Sequence, residues 1–192
     1  KKIEKTRKKF LTNRSSCDFL EETMKKLLSI LLCLGLCLSF AVAEDYFSVN
    51  DLEPASVKSV YKIDDVFSIY ANDSKAVTIE PLTGDAPERT AEDGEVFNAR
   101  IKLNGSGKVD YRSIHFTSKG AATLKVYTNS SSKDAARTLV VVDVASGSTI
   151  AELVAPPDGS VAGYAECKLP AKGEYAIYSA GSGINIYQII VE

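Results

Sequence analysis

From Tyr61 onward the chain is a succession of short β-branched and aromatic runs punctuated by Gly, Asn, Asp, Ser and Pro, and no ten-residue stretch carries a helical apolar period. Apolar residues that recur every second position mark strands, whereas a helix needs them three and four apart. Strands are expected near 66–71, 76–81, 96–104, 110–117, 121–128, 137–145, 149–153, 162–169, 173–179 and 184–191. Strands this short, eight to twelve residues apart, fill a domain as two packed antiparallel sheets. The expected fold is therefore all-β, an antiparallel two-sheet sandwich of jelly-roll type over residues 61–192, with a closed barrel as the alternative.

Alternation also assigns faces. Phe97, Ala99, Ile101 and Leu103 point inward against Asn98, Arg100 and Lys102, and the run Val140-Val141-Val142 suits a central strand covered on both sides. Residues 44–60 are less regular and read as a short helix or an N-terminal arm laid on the domain. Gly181-Ser182-Gly183 lies between two strand runs with no helix after it, so it reads as a turn and not as a phosphate loop. It is expected to close a final β-hairpin, with Gly181 or Gly183 at positive φ, and to bring Tyr178, Asn185 and Tyr187 together.

The first 43 residues have a different character. Met24-Lys25-Lys26, the uncharged Leu27–Phe40 and Ala41-Val42-Ala43 have the basic, apolar and small-residue order of a signal peptide over 24–43. A membrane span would need a longer run and a basic stop. In Leu34-Gly35-Leu36-Cys37 a bulky leucine stands directly before the cysteine, where a lipidation motif needs a small residue. The location expected is secreted or periplasmic. Residues 1–23 have no apolar period and are expected to be a mis-called upstream segment, not native. Beyond residue 43 the chain has 14 basic and 21 acidic residues. Such a balance disfavours nucleic acid, and disfavours an anionic membrane once the signal is removed, because both are bound by clustered Lys and Arg. Cys167 is the one cysteine after residue 43, so no internal disulfide can form there. Its place in the alternating "AECKL" turns the thiol inward, away from any group that would stabilise a thiolate.

No pattern selects a catalytic centre. The single histidine, His115, alternates with Ile114 and Phe116 and is expected on a solvent face. One histidine and one cysteine exclude His/Cys zinc sites and leave no base beside a nucleophile. Asp64, Asp65 and Asp143 could serve a carboxylate mechanism, but their spacing does not pair them. The acidic loop holding Asp85, Glu88, Glu92, Asp93 and Glu95 lacks EF-hand spacing, leaving structural calcium as an open option and no other cofactor.

Nine tyrosines and no tryptophan leave tyrosine to supply the aromatic faces on which sugars stack. Lys125, Tyr127 and Asn129 share one face of their strand, and Asn185 shares a face with Tyr187. Arg112 and Arg137 sit among apolar neighbours, where a guanidinium needs either an internal carboxylate or a ligand. The ligand-binding set expected from this pattern is Tyr127, Arg137, Tyr178, Asn185 and Tyr187.

The segment "DGEVFNARIKLNGSGKVDYRSIHFTSKGAATLKVYTNSSSKDAARTLVVVD" together with "GEYAIYSAGSGINIYQIIVE" resembles non-catalytic β-sandwich modules appended to secreted bacterial pectate lyases, over roughly residues 94–192. This resemblance implies non-catalytic binding of a plant cell-wall polysaccharide or oligosaccharide, pectic in the first instance, with catalysis carried by a possible protein partner. An acidic pectic chain would need local Lys or Arg, or calcium, to offset repulsion from this acidic domain. Two other readings stand beside it: an envelope or extracellular protein-interaction sandwich without a sugar ligand, and an enzyme working through carboxylates.

Overall fold

A computed structural model describes residues 44–84 and 87–192. The expectations for the upstream segment 1–23, the signal peptide 24–43 and Asp85 lie outside the described residues. Two large sheets face each other. One has the order β14 (Tyr164–Leu169), β10 (Ala122–Ser130), β16 (Ile184–Val191), β8 (Ala99–Leu103), β5 (Val77–Pro81) and β2 (Ala55–Val57), with β1 (Asp45–Ser48) paired to the far half of β16. The other has the order β12 (Thr149–Ala155), β11 (Arg137–Asp143), β15 (Gly173–Ser179), β9 (Ser113–Ser118), β4 (Phe67–Tyr70) and β3 (Tyr61–Lys62). A small third sheet joins β13 (Val161–Ala162), β6 (Arg89–Ala91) and β7 (Val96–Phe97). Every pairing is antiparallel except that of β13 with β6.

Between the large sheets lies the main core. Ile101, Leu103, Leu124, Val126, Ile186 and Ile189 enter it from the seven-stranded sheet, and Phe67, Ile69, Ile114, Phe116, Leu139 and Ile177 from the six-stranded one. Phe47 of β1 packs edge-on against Phe67 with centroids 5.0 Å apart. Each large apolar side chain removed from water in this way contributes about 1.5–3 kcal/mol. Ala99, Ile101 and Leu103 turn into this core as alternation predicts, but Phe97 does not: it belongs to a separate apolar cluster with Tyr127 and Tyr187, because the chain breaks its strand at Asn98. Val140-Val141-Val142 is central: Val141 joins the core, while Val140 and Val142 pack on the outside with Ala176. Among the described residues no helix is long and apolar enough to cross a membrane.

Three further expectations are corrected. Residues 44–60 are not an arm. Asp45–Ser48 pairs with β16 from Asp45↔Val191 to Ser48↔Gln188, and Ala55–Val57 extends the sheet beyond β5. The runs are too short to show alternation, and only the partner strands make them strands.

The closing glycines do not make a hairpin either. β15 belongs to the six-stranded sheet and β16 to the seven-stranded one, so Ala180–Gly183 carries the chain across the sandwich. Positive φ occurs at Gly84, Gly94, Gly105 and Gly147, not at Gly181 or Gly183. The third correction is His115, which is buried. The loop between β8 and β9 folds over its face, and the ring lies 2.8 Å from both Glu174 Oε1 and the Val109 carbonyl and stacks on Tyr70 at 3.7 Å.

A β-bulge shapes the outer face of the seven-stranded sheet. Tyr127 pairs with Gln188 and Thr128 with Ile186, which leaves Tyr187 as the extra residue of β16. Past the bulge the inward set changes parity to Ile189 and Val191.

Candidate functional site

The site develops on the outer face of the seven-stranded sheet, where β10 and β14 lie side by side. Their register sets Tyr127 against Tyr164 and Lys125 against Glu166, and alternation turns all four outward. Tyr187 projects from the bulge on the same face. Phe97 of β7 covers it, with ring centroids 5.5 Å from Tyr187 and 5.3 Å from Tyr127. Leu82, Ala91, Ala162 and Ile190 complete this second apolar cluster, so the small sheet is a cap fixed on the large one.

Beyond the edge of the cap a cleft of about 840 Å³ remains, lined by Tyr127, Tyr164, Lys125, Asn129, Glu92 and Asp93, with the Pro156–Pro157 turn as one wall. The two tyrosines meet edge to face at 5.4 Å. Tyr127 is only 5% exposed, whereas Tyr164 is 46% exposed and offers a ring face to solvent.

Hydrogen bonds fix the polar groups of the cleft. The Tyr127 hydroxyl donates to Asp93 Oδ2, and the Glu95 amide donates to Asp93 Oδ1 at 3.2 Å. The Tyr164 hydroxyl donates to Glu166. Burial first, and then the facing carboxylate, push both tyrosine pKa values upward. The Tyr127 hydroxyl is in turn the main reason that the Asp93 carboxyl is held below its ordinary value of 3.8. Lys125 pairs with Glu192, whose hydrogen bond raises the amine's pKa. Asn129 braces the wall: its Nδ2 donates to the Pro157 carbonyl at 3.0 Å and its Oδ1 accepts from the Gly163 amide at 3.3 Å. Gly163 has no room for a side chain, because a Cβ there would stand 2.2 Å from Pro156 Cγ and 2.5 Å from the Thr128 carbonyl oxygen.

The five residues expected to bind ligand do not converge. Tyr127 is in the cleft wall. Tyr187 and Asn185 lie on the same sheet face but are completely buried. Burial, followed by the charge of Asp158, pushes the Tyr187 pKa up to about 12. Asn185 pairs along the strand with Asn129 and Lys102, and its Nδ2 and Oδ1 have no hydrogen-bond partner among the described residues. Arg137 finds an internal partner: its Nη1 donates to Ser131 Oγ at 2.6 Å and to the Gly183 carbonyl, pinning the crossing that follows β15. Tyr178 is on the opposite side of the sandwich, against Val140, Val142 and Ala176.

Tyr164 is not among the residues expected to bind ligand, and Asp93 is expected only as a possible calcium ligand of the acidic loop. The outward alternation of Tyr164, Glu166 and Lys168 in "GYAECKL" was readable, but the pairing of that strand with β10 was not. Cys167 faces inward, half-buried against the core, and desolvation first and Glu166 second push its pKa up.

The isolated carboxylates serve turns. Asp64 Oδ1 accepts the Val66 and Phe67 amides, each at 2.7 Å, and Asp143 Oδ1 accepts the Ser146 amide at 2.7 Å. Asp65 pairs with Lys62. Among the described residues no group of three or more His, Cys, Asp or Glu side chains is placed to hold a metal.

No family model matches the chain, and no curated protein matches it. Several solved structures are distantly similar to it. A structure described under "The complexity of the Ruminococcus flavefaciens cellulosome reflects an expansion in glycan recognition" is 15% identical, with 78% of this chain and 93% of that one covered and a TM-score of 0.46. CsCBM6-3 from Clostridium stercorarium in complex with cellobiose is 11% identical, covers 77% and 92%, and has a TM-score of 0.39. CBM51 from Clostridium perfringens GH95 in complex with methyl-galactose is 8% identical, covers 77% and 100%, and has a TM-score of 0.40. Likeness this distant says nothing about which residues of this chain meet a ligand.

Proposed function

We propose that this chain is an exported, non-catalytic carbohydrate-binding domain whose sugar site is the cleft beside Tyr164. The observation that carries the reading is a half-exposed aromatic ring on a rigid sheet, set at the mouth of a cleft whose polar groups are fixed by hydrogen bonds. The ring can cover the C–H surface of a pyranose, and carboxylates can accept from vicinal hydroxyls. Asp93 and Glu92 are the acceptors closest to that role. Because both Asp93 oxygens are already anchored, they keep their orientation when a sugar arrives, which lowers the cost of ordering on binding. Tyr127 supports the cleft through its ring edge and through Asp93.

Glu92 and Asp93 in the lining, with Glu166 bonded to Tyr164, make this cleft locally acidic, and Lys125 is engaged by Glu192. A neutral plant cell-wall glycan, or a pectic chain with masked carboxylates, suits the cleft, whereas a free polyuronate would need a bridging cation there. Affinity electrophoresis and calorimetry against neutral and pectic polysaccharides, with and without calcium, test the proposal. Tyr164→Ala is expected to weaken binding about tenfold while thermal unfolding stays cooperative. If no polysaccharide binds under any of these conditions, the reading is wrong and the sandwich is a protein-interaction domain.

A further inference from the structure

The outer face of the six-stranded sheet is covered by a single loop, Asn104–Arg112, that is held unusually firmly. The Val109 carbonyl accepts from Ser113 Oγ at 2.7 Å and lies 2.8 Å from His115 Nε2. Lys108 and Tyr111 exchange backbone hydrogen bonds of 3.0 and 3.2 Å. Gly105 and Gly107 are where the loop passes closest to its neighbours. A Cβ on Gly105 would lie 2.7 Å from Arg112 Nη1, and one on Gly107 would lie 2.4 Å from the Arg112 carbonyl oxygen and 2.8 Å from Tyr178 Cβ. Arg112 itself, at φ 50°, is the one described non-glycine residue in the left-handed region.

This firmness places charge. Of the four described arginines, Arg89 bonds Asp158, Arg100 bonds Glu80 and Arg137 bonds Ser131 and Gly183. The guanidinium of Arg112 has no acceptor among the described residues, and its Nε is shut off from solvent. Lys75 Nζ lies 5.9 Å from the centroid of the Tyr111 ring, and neither Lys75 nor Lys108 forms an ion pair. Asp73 and Asp110, in the adjacent turns, pair with none of the three cations. The Nη nitrogens are not buried in this way, and a guanidinium whose Nη groups have no acceptor is suited to gain a planar anion there. The half-exposed rings of Tyr111 and Tyr178 beside it add faces for a sugar, which a simple anion would not use.

We infer that the Asn104–Arg112 loop and Lys75 form a second binding surface, for a carboxylate-bearing sugar, in which Arg112 takes the uronate carboxylate and Lys75 and Lys108 flank it. The inference rests on the sugar-binding reading for the kind of molecule, but not for the place. It assigns the acidic parts of a polysaccharide to one face and the neutral parts to the other.

Calorimetry on the folded domain with trigalacturonate and with its methyl ester, which keeps the shape and masks the charge, tests it. The acid is expected to bind at least tenfold more tightly than the ester, to weaken with added salt, and to lose at least tenfold in Arg112→Gln while Tyr164→Ala leaves it unchanged. Neutral-sugar binding is expected to show the reverse pattern, so failure at one face is distinguishable from failure at the other. Equal binding of acid and ester, unchanged binding in Arg112→Gln, or equally tight binding of a sulfated glycan would overturn the inference. Should Arg112→Gln fail to fold, the Lys75→Gln/Lys108→Gln double variant is expected to weaken trigalacturonate several-fold, and unchanged affinity there overturns the inference equally.

Discussion

The two outer faces of the sandwich are built from the same kinds of residue and put them to opposite use. On the seven-stranded sheet a three-stranded cap and an aromatic trio, Phe97, Tyr127 and Tyr187, form a second apolar layer, and the hydroxyls of Tyr127 and Tyr164 are each bound to a carboxylate. On the six-stranded sheet one loop lies over Val140, Val142 and Ala176, and a guanidinium is left without an acceptor. Where an apolar layer is thick, aromatic residues become structure and only the one at its rim, Tyr164, stays available. Where the cover is a single loop, the charged residues of that loop stay available. Tyrosine count alone therefore says little about a site.

The largest effect that could break this comparison comes from Tyr187→Ala. A ring this completely buried is expected to cost about 3–5 kcal/mol on truncation, read from urea denaturation, against less than about 1 kcal/mol for Tyr178→Ala on the other face. Equal losses would mean that the cap is not a packed layer.

Next come the two close approaches. Gly107→Ala and Gly163→Ala each drive a methyl group into backbone, and each is expected to lower stability by about 1–3 kcal/mol in the same assay. Gly181→Ala, with nothing within 4 Å of its Cβ, is expected to leave stability within about 0.5 kcal/mol.

Alkali sharpens the contrast further. The folded-state pKa of Tyr187 is raised from 10.0 to about 12, so the native protein holds that proton after the unfolded chain has released it. Its contribution is fully present below pH 10 and is lost as pH rises from 10 toward 12. Thermal midpoints across that range are expected to fall less steeply in Tyr187→Phe than in the parent.

The smallest effect lies at the other end of the pH scale. Asp93 is held below 3.8 chiefly by the Tyr127 hydroxyl, so its contribution is present above pH 4 and lost as pH falls through the depressed value. Tyr127→Phe is expected to be slightly less stable than the parent at pH 7, with the gap closing below pH 3. A gap that persists unchanged in acid would show that the Tyr127–Asp93 bond is not its source.

Much of the sandwich was legible because alternation is local. Strands such as β8, β9, β11 and β15 contain enough residues for period two to appear, and Ala99, Ile101 and Leu103 of β8 could be named as inward in advance. β1, β2, β3 and β6 were not legible, since two to four residues carry no period and gain one only from a partner. The bulge at Tyr187 was equally silent, because an inserted residue is defined by the facing strand. Of the candidate site, Lys125, Tyr127 and Asn129 were readable as one face. Tyr164 joined them through a strand pairing thirty-seven positions away in the chain, from Tyr127↔Tyr164.

What the sequence by itself determined is the all-β character, the central position of Val140–Val142, the inward turn of Cys167, and the acidic balance that argues against nucleic acid. These depend on composition and on nearest neighbours along the chain. Tertiary structure decided which residues share a surface. It put β15 and β16 in different sheets, and so separated Tyr178 from Asn185 and Tyr187 across the core. It also spent Arg137 on the Gly183 carbonyl and left Arg112 free. The physical reason is that a strand's alternation states which residues share a side, while the hydrogen bonds that choose its neighbours are made by a backbone that is nearly the same for every sequence.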